Sequence, residues 1–472
     1  MNRAKSILWY DLETFGLNPH VDRIAQAGYI RTDLELNIIE EPDVIYNRLT
    51  DDYLPQPESC LVTGITPDVV NSRGMREYEF ISKLNSEFTR ENTTVCGYNN
   101  INFDDEAVRS TLYRNLMDPF ERESKKGRTR WDIINLVRAA RDLRPEGICF
   151  DKKNEETGFT SFRLTDLTEE NGIEQVGAHD ALVDVYATIA IARLIKTKQP
   201  RLYSYAYTHR TKYDIWNLIE EDRSKVFLST MPLFASERGN THPLMPIWRT
   251  SENSSDIYFF DLLSPIPSSL DEIADLRESG IIKIQTNRCP FLCPISVLDK
   301  NAEKRLGFTK DEILKKASDI KRNCRYLFDL SSLIERTKPE YEEETDPDYT
   351  IYESFMDRDD KEKLKSIMSG DKERILRMGE YHFKSEKYHK MLWRTVARNW
   401  PEVLTEKEKM QWKSFCATRL LQPSSKYSKT LDLYLRECRE GLESVERSAS
   451  EKVIFKKLYD WGLEVKERIF SS

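Results

Sequence analysis

The sequence predicts a multidomain protein that combines an α/β domain, a small β domain and an all-helical domain. Three observations predict it. The chain has 472 residues, more than a single hydrophobic core ordinarily serves. Strand-like and helical runs alternate over about the first 195 residues, as in α/β layers. Short β runs follow, and helical periodicity replaces them near the end. We therefore expect domains at 1–199, 200–350 and 351–472.

The predicted α/β domain begins with four strand-like runs, which are SILWYDL (6–12), IAQAGYIRT (24–32), DVIYNRL (43–49) and TTVCGY (93–98). A helix is predicted after Thr66-Pro67, because Thr can cap a helix and Pro fits its first turn. Further helices are predicted from about Phe103, Asp132 and Asp180 onward.

The middle region carries short β runs separated by Pro, Gly, Ser and Asn, which favours a small barrel or sheet. These runs are KVFL, PLMPIW, DIYFFDL and IIKIQ. The acidic segment PEYEEETDPD (339–348) is typical of a linker. Beyond it the chain reads as helical, and apolar residues recur at helical spacing in the last helix, at Ile454, Leu458, Trp461, Val465 and Ile469.

Composition excludes several classes of protein. Hydrophobic residues make up 39% and charged residues 32%, which indicates a soluble globular chain. We expect no membrane span, since no apolar run approaches about 18 residues. The apolar run after Arg3 and Lys5 is interrupted by Asp11 and lacks a cleavage site, so we expect a cytoplasmic protein. A net charge of -8 argues against bulk adhesion to nucleic acid and leaves local basic patches.

The eight cysteines are scattered, as expected of reduced thiols in a large intracellular protein. Only Cys289 and Cys293 lie close together. Their spacing falls within the range of zinc ligand pairs, but no second Cys/His pair follows, so a zinc site is not favoured.

Asp11 and Glu13 follow the apolar run Ile7–Tyr10 directly. Residues two apart on a strand face the same way, so their carboxylates lie side by side and repel each other. A divalent cation between them would relieve that cost, and hard oxygen ligands suit Mg²⁺ or Mn²⁺. Taken alone, a D-x-E pair more often marks two solvated residues at a strand end.

A second acidic motif is GYNNINFDDE, where a strand runs into a polar turn and Phe103 precedes a predicted helix. Either Asp104 or Asp105 can aim a carboxylate at the open end of the sheet, with the other left in solvent. An acidic helix N-terminus with no further role is the alternative.

The third motif is AHDALVDVYATIAIARL, with His179 at the mouth of a predicted helix and Asp184 one turn inside it. Asp180 is a good helix cap and needs no catalytic explanation. Asp184 stands among apolar residues, which is harder to attribute to solvation. Together the three motifs supply carboxylates that can fix two metal ions for in-line displacement at phosphorus. His179 would take the proton from the attacking water.

These motifs resemble those of the DEDDh exonucleases in order, spacing and element type. In this sequence they are Asp11 and Glu13, Asn100–Asp104, and His179 with Asp184. The resemblance selects Asp104 over Asp105. It implies that Asp11, Glu13, Asp104, His179 and Asp184 are catalytic and that all but His179 bind metal.

A resemblance to the bacterial exodeoxyribonuclease I family covers the whole chain, through DLETFG, DDYLPQPESCLVTGITP, GYNNINFDDE, LRPEGI, SFRL, AHDALVDVYATIA and KQPRLYSY. It implies a ribonuclease-H-like exonuclease domain, an SH3-like β domain and a C-terminal helical domain. It also implies two Mg²⁺ ions and a C-shaped molecule that closes over single-stranded DNA. The single-strand DNA-binding protein is the implied partner, docking through its acidic C-terminal tail, and we expect a monomer.

An enzyme that threads single-stranded DNA needs cations for phosphates and flat faces for bases. We predict that Arg109, Arg138 and Arg163 contact phosphates, with surface ion pairs as the alternative. Phe120 is predicted to stack on a base, although core packing explains it equally well. Glu13 is also predicted to contact the substrate.

Two basic stretches of the sequence have more than one possible role. Residues 121–130 carry five basic and two acidic residues, a net of 5 - 2 = +3, where members of the family tend to carry tryptophans. Phosphate contacts there would partly replace base stacking. The stretch Val185–Tyr213 has no acidic residue and five tyrosines, and faces either the DNA, a partner's acidic tail or solvent between domains.

Three hypotheses follow for function. The first is a processive 3'-5' exonuclease that degrades single-stranded DNA to 5'-mononucleotides in repair and recombination. The second is a DEDDh exonuclease acting on RNA or short oligonucleotides, where the 2'-OH would matter. The third is a noncatalytic single-strand-binding scaffold. The presence of all five catalytic-type residues favours an enzyme.

Overall fold

The computed structural model describes residues 5–123, 125–174, 180–222, 224–251, 254–265, 276, 279–323, 333–334, 337, 344–353, 356–368, 382–422 and 429–470. This part of the chain contains two five-stranded sheets, helices that pack around them, and a helical C-terminal region. The predicted order of an α/β, a β and a helical region is confirmed.

The first sheet has the strand order β3-β2-β1-β4-β5. Its strands are β1 (Ser6–Thr14), β2 (Ile24–Thr32), β3 (Asp43–Tyr46), β4 (Thr93–Gly97) and β5 (Thr129–Asp132). The central strand β1 is antiparallel to β2 and parallel to β4. The four predicted strands are confirmed. Sequence analysis missed β5, because four residues after a charged loop show too little alternation to reveal a strand.

Helices cover both faces of this sheet. They are α1 (Pro57–Thr63), α2 (Pro67–Arg73), α3 (Glu77–Phe88), α4 (Asp104–Arg114), α5 (Ile134–Leu143), α6 (Leu164–Glu170) and α7 (Ala181–Lys198). One face, with Leu8, Tyr10 and Leu12, packs on α3 and α4. The other, with Ile7 and Trp9, packs on α5 and α7. Both faces of the central strand are therefore buried, as expected of a sheet with parallel pairs.

The second sheet is antiparallel throughout, in the order β10-β6-β7-β8-β9. Its strands are β6 (Phe227–Thr230), β7 (Thr241–Arg249), β8 (Asp256–Asp261), β9 (Ile281–Gln285) and β10 (Phe291–Pro294). The four predicted runs are confirmed, and β10, which holds Cys293, was missed. Four helices flank this sheet, namely α8 (Pro200–Thr208), α9 (Lys212–Glu221), α10 (Lys300–Leu306) and α11 (Lys310–Asn323).

The C-terminal region is helical, as predicted, and the structure describes five helices of it. They are α12 (Arg358–Met368), α13 (Glu386–Asn399), α14 (Glu406–Leu421), α15 (Leu431–Glu443) and α16 (Ala449–Phe470). Leu458, Trp461 and Val465 of α16 pack into one core with Cys60 and Val70 of the first region. Among the described helices, none has the length and apolar character to cross a membrane.

A buried ion cluster joins the first region to the C-terminal helices. We call the interdomain ion cluster the set Asp52, Asp346, Asp348, Arg394, Arg398 and Arg419. The Asp52 carboxylate accepts from Arg398 at 2.9 Å and from Arg419 at 2.7 Å. Asp346 and Asp348 belong to the predicted acidic linker, of which 339–343 lie outside the described residues. This part of the linker is thus buried against two arginine-bearing helices.

Candidate active site

Asp11, Glu13 and Asp184 meet at the end of the central strand. A carboxylate oxygen of each lies within 4.8 Å of those of the other two. Glu13 is buried, whereas Asp11 and Asp184 are half-buried. The structure therefore brings together three of the four carboxylates that the motifs predict as metal ligands.

The backbone explains how Asp184 reaches the strand. Gly28 of β2 lies directly opposite Asp11 in the sheet register. A Cβ atom on Gly28 would come within 2.6 Å of the Leu182 nitrogen, so only glycine admits the first turn of α7 here. Asp184 lies in that same turn and is held next to the sheet.

Gln26 fixes the start of α7 from the neighbouring strand. Its side-chain oxygen accepts a hydrogen bond from the Ala181 nitrogen at 3.0 Å, and its amide donates to the Tyr46 hydroxyl at 2.8 Å. Asp180 caps the helix by accepting from the Leu182 nitrogen at 3.0 Å, as predicted. The N-terminus of α7 is thus fixed to the sheet, and this fixes the position of Asp184 in the next residues of the helix.

Asp104 is the first residue of α4 and is buried near the other carboxylates. Burial raises the pKa of Asp11 well above its ordinary value, and the charge of Asp104 raises it further. Burial also raises the pKa of Asp104, and the negative charges of Asp105 and Glu13 raise it further. These mutual effects place Asp104 within electrostatic reach of the cluster.

The carboxylates of Asp11, Glu13 and Asp184 form a possible site for a divalent metal, and Asp104 lies within electrostatic reach of it. The pKa of Glu13 is raised to about 9, first by burial and then by Asp11 and Asp184. Carboxylates that lie this close together resist ionisation, because their negative charges repel one another. A cation bound among them stabilises the ionised form. Oxygen-only donors favour hard ions such as Mg²⁺ or Mn²⁺.

Asp105 is not left in solvent, contrary to the expectation for the second acid of this motif. Its carboxylate is buried and accepts from the Tyr10 hydroxyl at 2.5 Å, from Arg122 at 2.8 Å and from Arg130 at 2.7 Å. Burial alone would raise the pKa of Asp105, but Arg122 and Arg130 hold it well below its ordinary value. The geometry and the family resemblance therefore distinguish Asp104 from Asp105 in the same way.

The hypothesis that residues 121–130 contact phosphates is wrong for three of the five cations. Arg122, Arg128 and Arg130 are buried, and Arg128 donates to the Thr89 and Lys125 carbonyls. Lys125 and Lys126 are the exposed pair. Most of the positive charge of residues 121–130 is therefore buried in the protein.

The surroundings of Arg109 argue against the predicted phosphate contact. Its guanidinium is buried and donates to Glu106 at 2.7 Å and to Glu123 at 2.7 and 2.8 Å. Buried carboxylates on both sides satisfy its charge, and a phosphate would have to displace them.

Arg138 and Arg163 share one surface groove with Asp184. Both line a groove of about 580 Å³ whose wall includes Asp184, Tyr98 and Phe162. Arg138 is half-buried, with its guanidinium 5.6 Å from the Phe162 ring centre, and Arg163 is exposed. Within the described part of the chain, neither forms a salt bridge with a carboxylate. The groove thus places two positive charges beside the acidic cluster.

Phe120 is half-buried beside the exposed side chain of Tyr352, with ring centres 6.3 Å apart. The Arg109 guanidinium lies 5.4 Å from the Phe120 ring centre. Both predicted roles, stacking on a base and core packing, are compatible with this position. Tyr352 was not predicted, because it follows the acidic segment 339–348 and belongs to no motif.

The catalytic base predicted from sequence, His179, lies outside the described residues. The described chain resumes at Asp180, immediately before α7. His179 therefore stays a prediction that rests on its motif.

The stretch Val185–Tyr213 does not form one basic surface. Arg193 and Lys196 donate to the Leu36 and Leu34 carbonyls and so tie down a loop of the first region. Other members of the stretch, including Tyr203, Tyr207 and Arg210, pack against Trp131 or the ends of β4 and β5. Another part of it, around Arg201, lines a cavity.

Sequence analysis missed Asp132, which it read only as a helix start. The buried Asp132 carboxylate accepts hydrogen bonds from the backbone nitrogens of Asn99, Ile101 and Ile134. It thereby fixes the turn that leads from β4 to Asp104. Burial raises the pKa of Asp132 to about 6, against the lowering effect of these hydrogen bonds. An acid directly before the apolar residues Ile133 and Ile134 was the available signal.

Cys289 and Cys293 are both buried. The Cys289 thiol donates to the Arg130 carbonyl at 3.3 Å, and Cys293 lies within β10. Burial raises the pKa of both thiols to about 12, which disfavours the thiolate form that binds zinc.

Comparison with known proteins gives matches along nearly the whole chain. Family profiles described as Exonuclease, Exonuclease I SH3-like domain and Exonuclease I C-terminal domain match residues 8–192, 210–333 and 345–465. The exodeoxyribonuclease I of Escherichia coli K12 is 34% identical over 430 residues, which cover 87% of this chain and 90% of that protein.

Two solved structures are similar over 98% of this chain and 100% of theirs, at 32% identity. One is a zinc-bound form of the complex of E. coli exonuclease I with single-stranded DNA, with a TM-score of 0.86. The other is described as SSB/Exonuclease I in complex with an inhibitor, with a TM-score of 0.87.

Proposed function

Because this chain belongs to the exonuclease I family, we propose that it is a processive 3'-5' exodeoxyribonuclease that releases 5'-mononucleotides from single-stranded DNA. One observation carries the proposal. The Asp11, Glu13 and Asp184 carboxylates converge within 4.8 Å beside a groove. Arg138 and Arg163 line this groove, and neither forms a salt bridge with a carboxylate of the described residues. Metal-binding oxygens next to cations for phosphate are what hydrolysis of a phosphodiester requires.

The family implies dependence on a divalent metal, and we propose two Mg²⁺ ions, with Mn²⁺ as a substitute. Asp11, Glu13, Asp104 and Asp184 would hold them. When bound, such ions lower the pKa of water and stabilise charge on the attacking and leaving oxygens. Carboxylates rather than thiols supply the site, which favours Mg²⁺ over softer ions.

The chain's own residues would position the DNA and move the proton. Arg138 and Arg163 would bind phosphates near the 3' end, since both line the groove that Asp184 borders. Glu13 would also contact the terminal nucleotide, and Phe120 would stack on a base. His179 would accept the proton of the attacking water, because an imidazole titrates near neutrality.

Replacement of His179 by alanine should slow hydrolysis by roughly 10²–10⁴-fold, the usual contribution of a general base. Metal and DNA binding should persist, because no ligand is removed. The measurement is the single-turnover rate of nucleotide release. His382→Ala, which changes an exposed histidine far along the chain, serves as control. An undiminished rate in the His179 variant would refute its role.

The substrate is tested by digestion of matched strands with Mg²⁺. Single-stranded DNA labelled at the 3' end should lose its label first, with mononucleotides as product, and a 5' label should persist until late. An RNA strand of the same sequence should be degraded much more slowly. Faster digestion of RNA would support the alternative of an RNA or oligonucleotide exonuclease. Intact strands of both kinds would support a noncatalytic scaffold.

Processive action would follow from enclosure of the strand by the later domains, whose proposed limits are 200–350 and 351–472. Arg288, in the turn before β10, donates to Asn102 at 2.8 Å, beside the start of α4. The interdomain ion cluster holds the helical region to the first domain. Such fixed domain contacts are suited to retaining a strand between cuts. We also propose a monomer that acts in the cytoplasm in DNA repair and recombination.

We further propose that the acidic C-terminal tail of the single-strand DNA-binding protein docks in a second cavity. It has a volume of about 580 Å³ and is lined by Leu143, Arg144, Gln199, Pro200, Arg201, Leu202, Tyr205, Phe291, Cys293 and Val297. Its apolar floor suits the side chains of a peptide, and its two arginines suit acidic groups.

Arg201→Ala should weaken binding of an acidic tail peptide about 10-fold, the effect of losing one charge-assisted hydrogen bond. Digestion of free DNA should be unchanged. Fluorescence anisotropy of a labelled peptide measures the affinity, and Arg436→Ala, on the exposed surface of α15, is the control. Equal peptide affinity in the Arg201 variant and the wild type would exclude this cavity.

A further inference from the structure

Tyr10 and Asp105 each adjoin a proposed metal ligand but point away from the metal site. Tyr10 precedes Asp11 on β1, and successive side chains on a strand face opposite ways. Tyr10 accordingly packs with Leu12 and Phe80 on the side of the sheet that α4 covers. Asp105 follows Asp104 in the first turn of α4. The two residues therefore meet on the far side of the strand from Glu13 and Asp184.

A short hydrogen bond joins this pair. The Tyr10 hydroxyl donates to Asp105 Oδ1 at 2.5 Å, and Asn100 donates to the Tyr10 oxygen at 3.4 Å. The exposed fraction is 1% for Tyr10 and 0% for Asp105. In such surroundings a hydrogen bond to a carboxylate is strong and its loss is not replaced by water.

Two arginines hold the Asp105 carboxylate in place. Arg122 donates to Oδ1 at 2.8 Å and Arg130 to Oδ2 at 2.7 Å, so both oxygens are engaged. Arg122 is itself buried, with its guanidinium 5.0 Å from the Phe88 ring centre. Arg130 also donates to the Asn287 carbonyl at 2.8 Å. The arginines of the charged loop 121–130 therefore fix an acid inside the fold.

We propose that Tyr10 and Asp105, held by Arg122 and Arg130, are positioning residues that set the separation of the two metal-binding segments. The inference rests on the proposed function only in assigning metal to Asp11 and Asp104. The hydrogen bond ties the residue before one ligand to the residue after the other. A shift of the first turn of α4 along the sheet would move Asp104 relative to Asp11. Metal affinity depends on ligand placement to a few tenths of an ångström.

Tyr10→Phe tests this by removing one oxygen atom while keeping the ring. The apparent dissociation constant for Mn²⁺, measured by electron paramagnetic resonance without DNA, should rise roughly 10–100-fold, as when a partner of a metal ligand is lost. The Mg²⁺ concentration for half-maximal digestion should rise in parallel, while binding of DNA in chelator stays within about twofold.

Tyr434→Phe is the matched control. Tyr434 is also buried, and its hydroxyl donates to the Leu458 carbonyl at 2.9 Å, in the C-terminal helical core. Each variant loses the one hydrogen bond that its buried hydroxyl donates, and Tyr10→Phe also loses the longer bond from Asn100, so a purely structural effect should lower the stability of both. Only the Tyr10 variant should lose Mn²⁺ affinity.

Arg122→Lys is a second variant, which keeps the charge and removes the guanidinium. It should shift the Mn²⁺ constant in the same direction, and it tests the proposal if Tyr10→Phe fails to fold. Wild-type Mn²⁺ affinity in both folded variants, or an equal loss in Tyr434→Phe, would overturn the proposal. Absence of Mn²⁺ binding by the wild type would also overturn it. A wild type that binds Mn²⁺ but leaves DNA intact would refute the proposed function alone.

Discussion

Replacement of Asp11 by alanine is expected to lower the rate of DNA hydrolysis by roughly 10³-fold or more, equivalent to about 4 kcal/mol of transition-state stabilisation. Asp11 contributes an oxygen to the cluster with Glu13 and Asp184, so its loss should remove bound metal. Single-stranded DNA should still bind, because Arg138 and Arg163 are untouched. Single-turnover digestion and fluorescence anisotropy in chelator measure the two effects separately.

Thermal stability gives this variant an independent readout. Burial and the charges of Asp104 and Asp184 raise the pKa of Asp11, so its ionised form destabilises the metal-free fold. This destabilisation grows as the pH rises above the ordinary pKa of an aspartate. At pH 8 in chelator, Asp11→Ala should therefore melt no lower than the wild type, and Mg²⁺ should no longer raise its melting temperature.

Asp311→Ala, at an exposed position of α11, is the control and should behave as the wild type in both assays. Full activity of Asp11→Ala would refute the assignment of the site. Loss of activity together with loss of folding in chelator would show a structural role for Asp11 instead.

Asp52→Ala should have the largest effect on stability, lowering the free energy of unfolding by roughly 3–5 kcal/mol. The substitution leaves Arg398 and Arg419 buried with one carboxylate fewer in the interdomain ion cluster. Removing one partner of a buried ion pair costs more than the pair contributes, because the remaining charge is desolvated without compensation. Denaturation by urea, followed by circular dichroism, measures the change.

Asp51→Ala is a closely matched control, one residue away. Asp51 pairs with Arg468 at 2.9 Å, but both side chains are partly exposed to solvent. An exposed pair of this kind contributes about 0–1 kcal/mol. Equal destabilisation by the two substitutions would contradict the importance of burial at Asp52.

The same cluster predicts the response to acid. Burial alone would raise the pKa of Asp52, but Arg398, Arg23 and Arg419 hold it well below its ordinary value. Glu77 nearby behaves likewise, and its pKa falls from 4.5 to about 2 through Arg114 and Arg23.

A lowered pKa in the folded state stabilises the fold above the ordinary pKa, and this contribution is lost as the pH falls. The wild type should therefore lose stability steeply between about pH 4.5 and 2, and Asp52→Ala less steeply. A parallel loss in the two proteins, measured by melting temperature across this range, would contradict the prediction.

The fold was largely predictable because its main strands and helices have recognisable patterns in their own local sequence. The central strand is an apolar run, the helix after Thr66 begins with Pro67, and the helix after Asp180 begins with an aspartate cap. β5 and β10 were missed, since both have four residues and take their stability from partners distant in sequence. The acids of the site were predictable for a similar reason, because each lies at a fixed offset within its own strand or helix.

The sequence by itself determined which residue types lie at the end of the central strand and which motifs accompany them. Only the tertiary structure decided which charges are available to a substrate. Arg109 and Arg163 look alike in sequence, yet the first is buried between two glutamates and the second is exposed on a groove. Asp104 and Asp105 are both buried, but Asp105 is paired with Arg122 and Arg130, whereas Asp104 adjoins the other acids of the site. Local pattern fixes a side chain's direction on its element, whereas burial and ion pairing depend on segments that only folding brings together.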